Sequence, residues 1–218
     1  MRTVGVRRLG AAVVAAVASL SLLAGCGSGS EPSPPSGVDG LTIPTPDPSA
    51  ADFVKVVDNP WFPLPVGARW RYRGTSAAPA KITVTAEAGP RVAGVQTTTR
   101  VRVGAHGDVT RDHYAQDRAG NVWWFGREGE WEAGADGVEA GLAMPAVPRR
   151  GDGFRTGPHE VATVEDLDEQ VEVSSAAYPD TVVLATTSEG ITERDVYARG
   201  VGLVQTTTTG LVAFDEPR

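Results

Sequence analysis

Asp112, His113 and Asp117 place two carboxylates and an imidazole within one short segment, the group types that acid–base or metal chemistry requires. The surrounding alternation opposes that use. Asp112 and His113 are neighbours in a segment that reads as a strand, so their side chains leave opposite faces of the sheet. Asp117 opens Asp117-Arg-Ala-Gly120, which fits a type I turn with glycine in the left-handed position, where a carboxylate bonds backbone amides. His159-Glu160 lacks the second histidine of an HExxH zinc helix and follows Gly157-Pro158, so it reads as the start of a strand. The acidic series Glu160, Glu165, Asp166, Asp168, Glu169 and Glu172 contains no Asp-x-Asp-x-Asp-Gly calcium loop. Val171 and Val173 alternate with Glu172 as on a solvated sheet face. Arg150-Gly151-Asp152 spells an adhesion tripeptide in an arginine- and glycine-rich loop and carries no weight. Neither Gly-x-Ser-x-Gly nor a phosphate-binding glycine loop is present, and Cys26 is the single cysteine. The expectation is therefore no catalytic residue, no metal, no cofactor and no enzymatic activity.

The other chemistry-bearing stretch is aromatic: Asn121-Val-Trp-Trp-Phe-Gly126, in a chain that is 6% aromatic. A three-residue loop at Asp117–Gly120 predicts that Gln116 faces Val122, Ala115 faces Trp123, Tyr114 faces Trp124 and His113 faces Phe125. Directly opposed residues share a face. Tyr114 and Trp124 then lie on one side, with His113, Trp123 and Phe125 on the other. The rings do not form a single platform, and both faces must be covered, because large aromatics on two sides would leave a wide apolar patch. Tyr114, Trp123, Trp124 and Phe125 are the candidate ligand-binding residues. Residues 132–158, with nine Gly or Pro in 27 positions, are the candidate lid.

These rings need a sheet to hold them. Alternation dominates from Ala68 onward, the period of strands with one face buried and one in solvent. Arg69-Trp70-Arg71-Tyr72-Arg73 sets two rings against three guanidiniums; Thr97, Thr99, Val101 and Val103 oppose Thr98, Arg100 and Arg102 in the same manner. Further strands are predicted at 81–87, 109–116, 121–127, 160–166, 171–175, 181–187, 191–199 and 201–208. Glycines at 74, 89, 94, 104, 107, 120, 190 and 200 mark the turns. No long segment has helical periodicity. Short strands joined by hairpin-length links predict an all-β fold, a single antiparallel meander curled into a barrel or half-barrel, with a two-sheet sandwich as the alternative.

The domain organisation begins with residues 1–25, where Arg2, Arg7 and Arg8 precede an apolar run and small residues, the plan of a signal peptide. Leu23-Ala24-Gly25-Cys26 resembles the lipobox of bacterial lipoproteins. The resemblance implies cleavage before Cys26, diacylglycerol on its sulfur and an acylated (palmitate) N-terminus. Two or more acyl chains give stable attachment where one is marginal, so the implied address is the extracytoplasmic face of the cell membrane. A mature chain from Cys26 has no thiol left for a disulfide. Residues 26–51 read as a Pro/Gly/Ser-rich disordered tether that reaches ~75 Å when extended, and 52–218 as the β domain. The leader takes three of the twenty basic residues, leaving 17 against 27 acidic and a net charge near −10. That charge argues against a nucleic-acid partner.

The stretch Asp58-Asn-Pro-Trp-Phe-Pro-Leu-Pro-Val-Gly67-Ala-Arg-Trp70-Arg-Tyr72, followed by Tyr114-Ala-Gln-Asp117 and Gly120-Asn-Val-Trp-Trp-Phe-Gly126, resembles a family of uncharacterised exported bacterial all-β proteins. Those motifs are packing and turn residues and imply a fold, not a reaction. A lipidated, cysteine-free curled sheet is also similar in architecture to LolA- and LppX-type lipid-carrying envelope proteins. The expected function is a non-enzymatic, lipid-anchored envelope protein that holds a hydrophobic small molecule or an envelope partner between the sheet and the 132–158 loop. The alternatives are a purely structural or interaction lipoprotein and, third, a hydrolase-like enzyme.

Overall fold

The computed structural model describes residues 48–75, 80–174 and 176–217. The predicted signal peptide, Cys26 and the tether up to residue 47 lie outside the described residues. After a 3-10 turn at Ala50–Asp52 come β1 (Phe53–Val54), β2 (Arg69–Gly74), β3 (Lys81–Val92), β4 (Val95–Val103), β5 (Val109–Asp117), β6 (Val122–Arg127), β7 (Trp131–Glu132) and β8 (Gly141–Met144). There follow β9 (Gly153–Gly157), β10 (Glu160–Asp166), β11 (Val171–Val173), β12 (Ala176–Tyr178), β13 (Thr181–Ser188), β14 (Ile191–Ala198), β15 (Gly202–Thr206) and β16 (Thr209–Asp215).

Fourteen of these strands form one sheet in the order β7-β6-β5-β4-β3-β2-β16-β15-β14-β13-β10-β9, with β1 on β5 and β8 on β6; β11 and β12 form a separate hairpin. Every pairing is antiparallel, as the hairpin-length links predict. The sheet curls because its ladders are interrupted by bulges, at Ala88–Arg91, His113–Tyr114, Val164–Asp166, Val196–Tyr197 and Leu211–Ala213 among others. Each inserted residue bends its strand and increases the local twist. The ends of the sheet approach each other without closing a hydrogen-bonded ring. At Gly141 on β8 an added Cβ would lie 2.1 Å from the Thr156 carbonyl oxygen on β9, so these backbones pack directly and only glycine fits. The result is an open half-barrel.

The expected register at β5–β6 holds for Gln116↔Val122, Ala115↔Trp123 and Tyr114↔Trp124, but His113 opposes Gly126 rather than Phe125. A bulge absorbs Phe125, and Gly126, at φ +141°, supplies the backbone that a side chain would forbid. β3 runs past the predicted turn at Gly89 to Val92, since Gly89-Pro90 sits in a bulge where Gln96 Nε2 and Thr97 Oγ1 donate to the Gly89 and Pro90 carbonyls at 2.7 Å each. The 132–158 segment is not one loop: it contains β8 and β9. The predicted 201–208 strand is β15 alone, and β16 after it pairs with β2.

One end of the half-barrel is plugged by residues 58–65. Asn59 Oδ1 accepts the Trp61 and Phe62 amides at 2.8 and 3.2 Å, and Asn59 Nδ2 donates to the Gly120 and Pro145 carbonyls. Gln116 Oε1 accepts the Asp58 and Asn59 amides. On the other wall, the Gly200 amide donates to Pro60 O at 2.7 Å and Trp70 Nε1 to Val201 O at 2.7 Å. The Asn-Pro-aromatic motif therefore ties the β5–β6 turn to the β14–β15 turn. Phe62 is pushed upward into the interior, 5.0 Å from the Tyr114 ring and 5.8 Å from the Tyr197 ring.

Candidate functional site

Above that plug the concave face encloses a cavity of about 630 Å³. Its floor is Phe62, and its walls come from nearly every long strand. Its open end is ringed by the β13–β14 turn, with Glu189 and Ile191, and by Thr207 and Thr208 of the β15–β16 turn.

Register decides which residues face this space. Tyr72 opposes Ile82, Val84 opposes Arg102, Arg100 opposes Asp112, Thr98 opposes Tyr114 and Tyr114 opposes Trp124, so all share the concave face. The alternation in β4 predicts Arg100 and Arg102 in solvent; the structure turns them inward. The reason is that β4 is covered on both faces: Thr97, Thr98 and Thr99 are all buried. Across the cavity, Leu184 opposes Asp195 and Thr186 opposes Glu193, with Ala162 and Glu160 beside them on β10.

Arg100 is the central group. Its guanidinium faces the Tyr114 hydroxyl, and among the described residues no carboxylate pairs with it within 4.0 Å. No buried side-chain nitrogen or oxygen lacks a partner among those residues, so the unpaired N–H groups of Arg100 open onto the cavity. The charges around the cavity are unevenly placed. Arg100, Arg102 and Arg127 stand on β4 and β6; Glu160, Glu193 and Asp195 stand on β10 and β14. Asp112, 2% exposed, is committed to Arg127, whose Nε donates at 2.6 Å. Arg127 also lies over the Trp124 ring at 5.1 Å. Asp195 has no ion-pair partner among the described residues; the Tyr197 hydroxyl, two residues on along β14, is its hydrogen-bond partner. Burial raises its carboxyl from an ordinary 3.8 to about 6, with Arg100 opposing and Glu193 adding to the rise. Burial also raises Glu160, with Arg127 opposing and Asp112, Glu193 and Glu130 adding. The hydroxyls of Tyr72, Tyr114 and Tyr197 are all raised, chiefly by burial, and stay protonated donors. Tyr72 donates to the Leu203 carbonyl at 2.9 Å.

No protein-family model, curated protein or solved structure matches this chain.

Of the four sequence-predicted ligand residues, Tyr114 and Trp124 line the large cavity, stacked with ring centroids 6.4 Å apart. Trp124 also packs on Gly157, where an added Cβ would lie 3.0 Å from the indole. Trp123 and Phe125 lie on the other face of the sheet, both nearly fully buried. There Phe53 meets Phe125 edge-on at 5.1 Å, and Ala133, Val138 and Ala140 cover the rings over a space of about 220 Å³. The sheet–loop site expected from the sequence thus corresponds to the smaller space, below the 300–1,000 Å³ usual for ligand sites. Asp117 is the turn residue expected, accepting from the Asn121 amide, Asn121 Nδ2 and Trp123 Nε1 at 2.9–3.0 Å. His113 shares a 3.0 Å hydrogen bond with Thr99 Oγ1 on the face away from Asp112. Glu165 and Glu169 pair with Arg194, and Asp166 with Arg150. No acidic cluster among the described residues could hold a metal ion.

Sequence reasoning did not find Tyr72, Arg100, Asp195 or Tyr197 as site residues. The available signal was the triplet Thr97-Thr98-Thr99, three β-branched residues in a row, which marks a strand buried on both faces. Asp195 and Tyr197 carried no such signal, because they lie almost one hundred residues from Arg100 along the chain.

Proposed function

We propose that this chain is a lipid-anchored binding protein of the bacterial envelope, without catalytic activity, that carries a ligand in the concave cavity of its half-barrel. The observation that supports this most directly is the cavity itself. It is about 630 Å³, within the range of small-molecule sites, and it combines apolar rings with Arg100 and Asp195, neither of which has an ion-pair partner among the described residues. A ligand that fills the cavity and excludes water from these groups must supply their partners. The cavity walls mix the rings of Phe62 and Trp124 with guanidinium, carboxylate and hydroxyl groups, which favours an amphiphile over a wholly apolar ligand. The address rests on the leader and on the lipobox-like Leu23-Ala24-Gly25-Cys26, with Cys26 acylated and the domain held at the extracytoplasmic membrane face.

Protein extracted from its native membrane with mild detergent should carry an acyl-modified Cys26. It should also carry close to one equivalent of a small molecule, released on denaturation and visible by mass spectrometry. A chain unmodified at residue 26 would remove the address. A native preparation that carries no small molecule and excludes small-molecule probes would remove the binding function.

A further inference from the structure

The cavity wall separates its charges, and that separation specifies a ligand class. Resting on the reading of the cavity as a binding site, we infer that its ligand has a zwitterionic head: an anionic oxygen group seated on Arg100 and the Tyr114 hydroxyl, and a cationic nitrogen facing Asp195, Glu193 and Glu160.

Each simpler head charge leaves something unmet. Arg100 presents N–H donors to the cavity and has no carboxylate within 4.0 Å among the described residues, so a purely apolar head would bury those donors without partners and a neutral polar head would leave the guanidinium charge uncompensated. A purely anionic head satisfies Arg100 but enters a space that also holds Glu160, Glu193 and Asp195, three carboxylates without ion-pair partners among the described residues. A purely cationic head satisfies those carboxylates but meets Arg100 and Arg127 on the facing strands. Only a head with both signs places each charge opposite its complement. The carboxyls of Asp195 and Glu160 are raised chiefly by burial, against the opposing pull of Arg100 and Arg127, so a cationic group brought to them would stabilise their charged forms. The Tyr114 phenol beside Arg100 is a neutral donor and can donate to an anionic oxygen without adding charge. Below these groups Phe62 and Trp124 offer apolar surface to the body of the ligand. A phospholipid headgroup and a free peptide both carry this chemistry, and the experiment separates them.

The probes are four dodecyl amphiphiles with the same tail: dodecylphosphocholine, dodecyl phosphate, dodecyltrimethylammonium and dodecyl maltoside. Each is titrated calorimetrically, below its micelle concentration, into the whole chain from residue 26 carrying Cys26→Ser. Trileucine, its N-acetyl form and its C-terminal amide form the peptide arm. A zwitterionic probe should bind at least about tenfold tighter than its singly charged and neutral counterparts. Success of dodecylphosphocholine identifies a lipid-type source, and success of trileucine alone a peptide source. Arg100→Gln should remove the advantage over the cationic probe, and Asp195→Asn the advantage over the anionic one. The wild-type ranking decides the question even if a variant fails to fold. Equal binding of dodecyl maltoside, or preference for one singly charged probe, overturns the zwitterionic head while the binding function stands. If no probe binds although the native protein carries a copurified molecule, the head assignment is likewise overturned. If no probe binds and the native protein is empty, the binding function falls with it.

Discussion

Asp195 is costly to the folded protein. In the unfolded chain its carboxyl loses a proton near 3.8, and in the folded chain near 6. Between those values the native state holds more protons than the unfolded state, so this residue's contribution to stability falls as pH rises from about 4 to 6. A rise of that size corresponds to at most about 3 kcal/mol. Asp195→Asn is therefore expected to be more stable than wild type at pH 7.5, by about 1–2 kcal/mol, because the net rise already contains the attraction to Arg100 and the amide keeps part of the burial cost. The difference should vanish below pH 4, measured as urea midpoints across pH. A variant less stable than wild type at pH 7.5 would show that Asp195 is structurally paired, not held for a ligand. Arg100 bears on this from β4, with Glu193 and Tyr197 on Asp195's own strand. Opposite neighbours Leu184 on β13 and Thr206 on β15 bring no charge.

Among the elements, the plug at 58–65 has the largest structural role for its length. The Asn59 side chain alone makes four hydrogen bonds, to the Trp61 and Phe62 amides and the Gly120 and Pro145 carbonyls. Asn59→Ala strands the Trp61 amide and the Gly120 and Pro145 carbonyls, each costing about 1–3 kcal/mol if unmet, while the Phe62 amide keeps its bond to the Asn59 carbonyl. The expected loss is ~3 kcal/mol in chemical denaturation. A second consequence should accompany it, because Phe62 forms the cavity floor: ligand affinity should fall as well. A loss of stability with affinity unchanged would separate the plug from the floor. The Asn-Pro-Trp-Phe-Pro-Leu segment was legible in the sequence as a resemblance motif built of packing residues, and packing is what it does here. Its destination was not legible, since its partners at Gly120, Pro145 and Gly200 lie sixty or more residues away.

Over the whole molecule, β16 occupies a position its place in the chain does not announce. As the last strand of a meander it would be an edge, yet it lies between β2 and β15 near the centre of the sheet. A chain ending at residue 208 loses this strand, and β2 and β15 lose a shared neighbour. Such truncation is expected to abolish cooperative unfolding and near-ultraviolet dichroism, whereas edge-strand loss usually leaves a core. A truncated chain that still unfolds in one sharp transition would contradict the pairing. β2–β16 contacts also bridge most of the domain's length, a non-local pairing that slows folding.

Period-two alternation, turn glycines and the absence of helical periodicity determined the all-β class and the antiparallel hairpins, because those properties depend on near neighbours in the chain. The β5–β6 register from Tyr114 to Gln116 came from the turn chemistry of Asp117 and Gly120 for the same reason. The tertiary structure alone decided which face is concave. It turned Arg100 inward, placed Tyr114 and Trp124 in the cavity and sent Trp123 and Phe125 to the other side. Alternation states that two faces differ but not which way the sheet curls. That direction is set by bulges and by contacts between strands far apart in the chain, and the site's charge arrangement exists only once β4 and β14 have been brought to opposite walls.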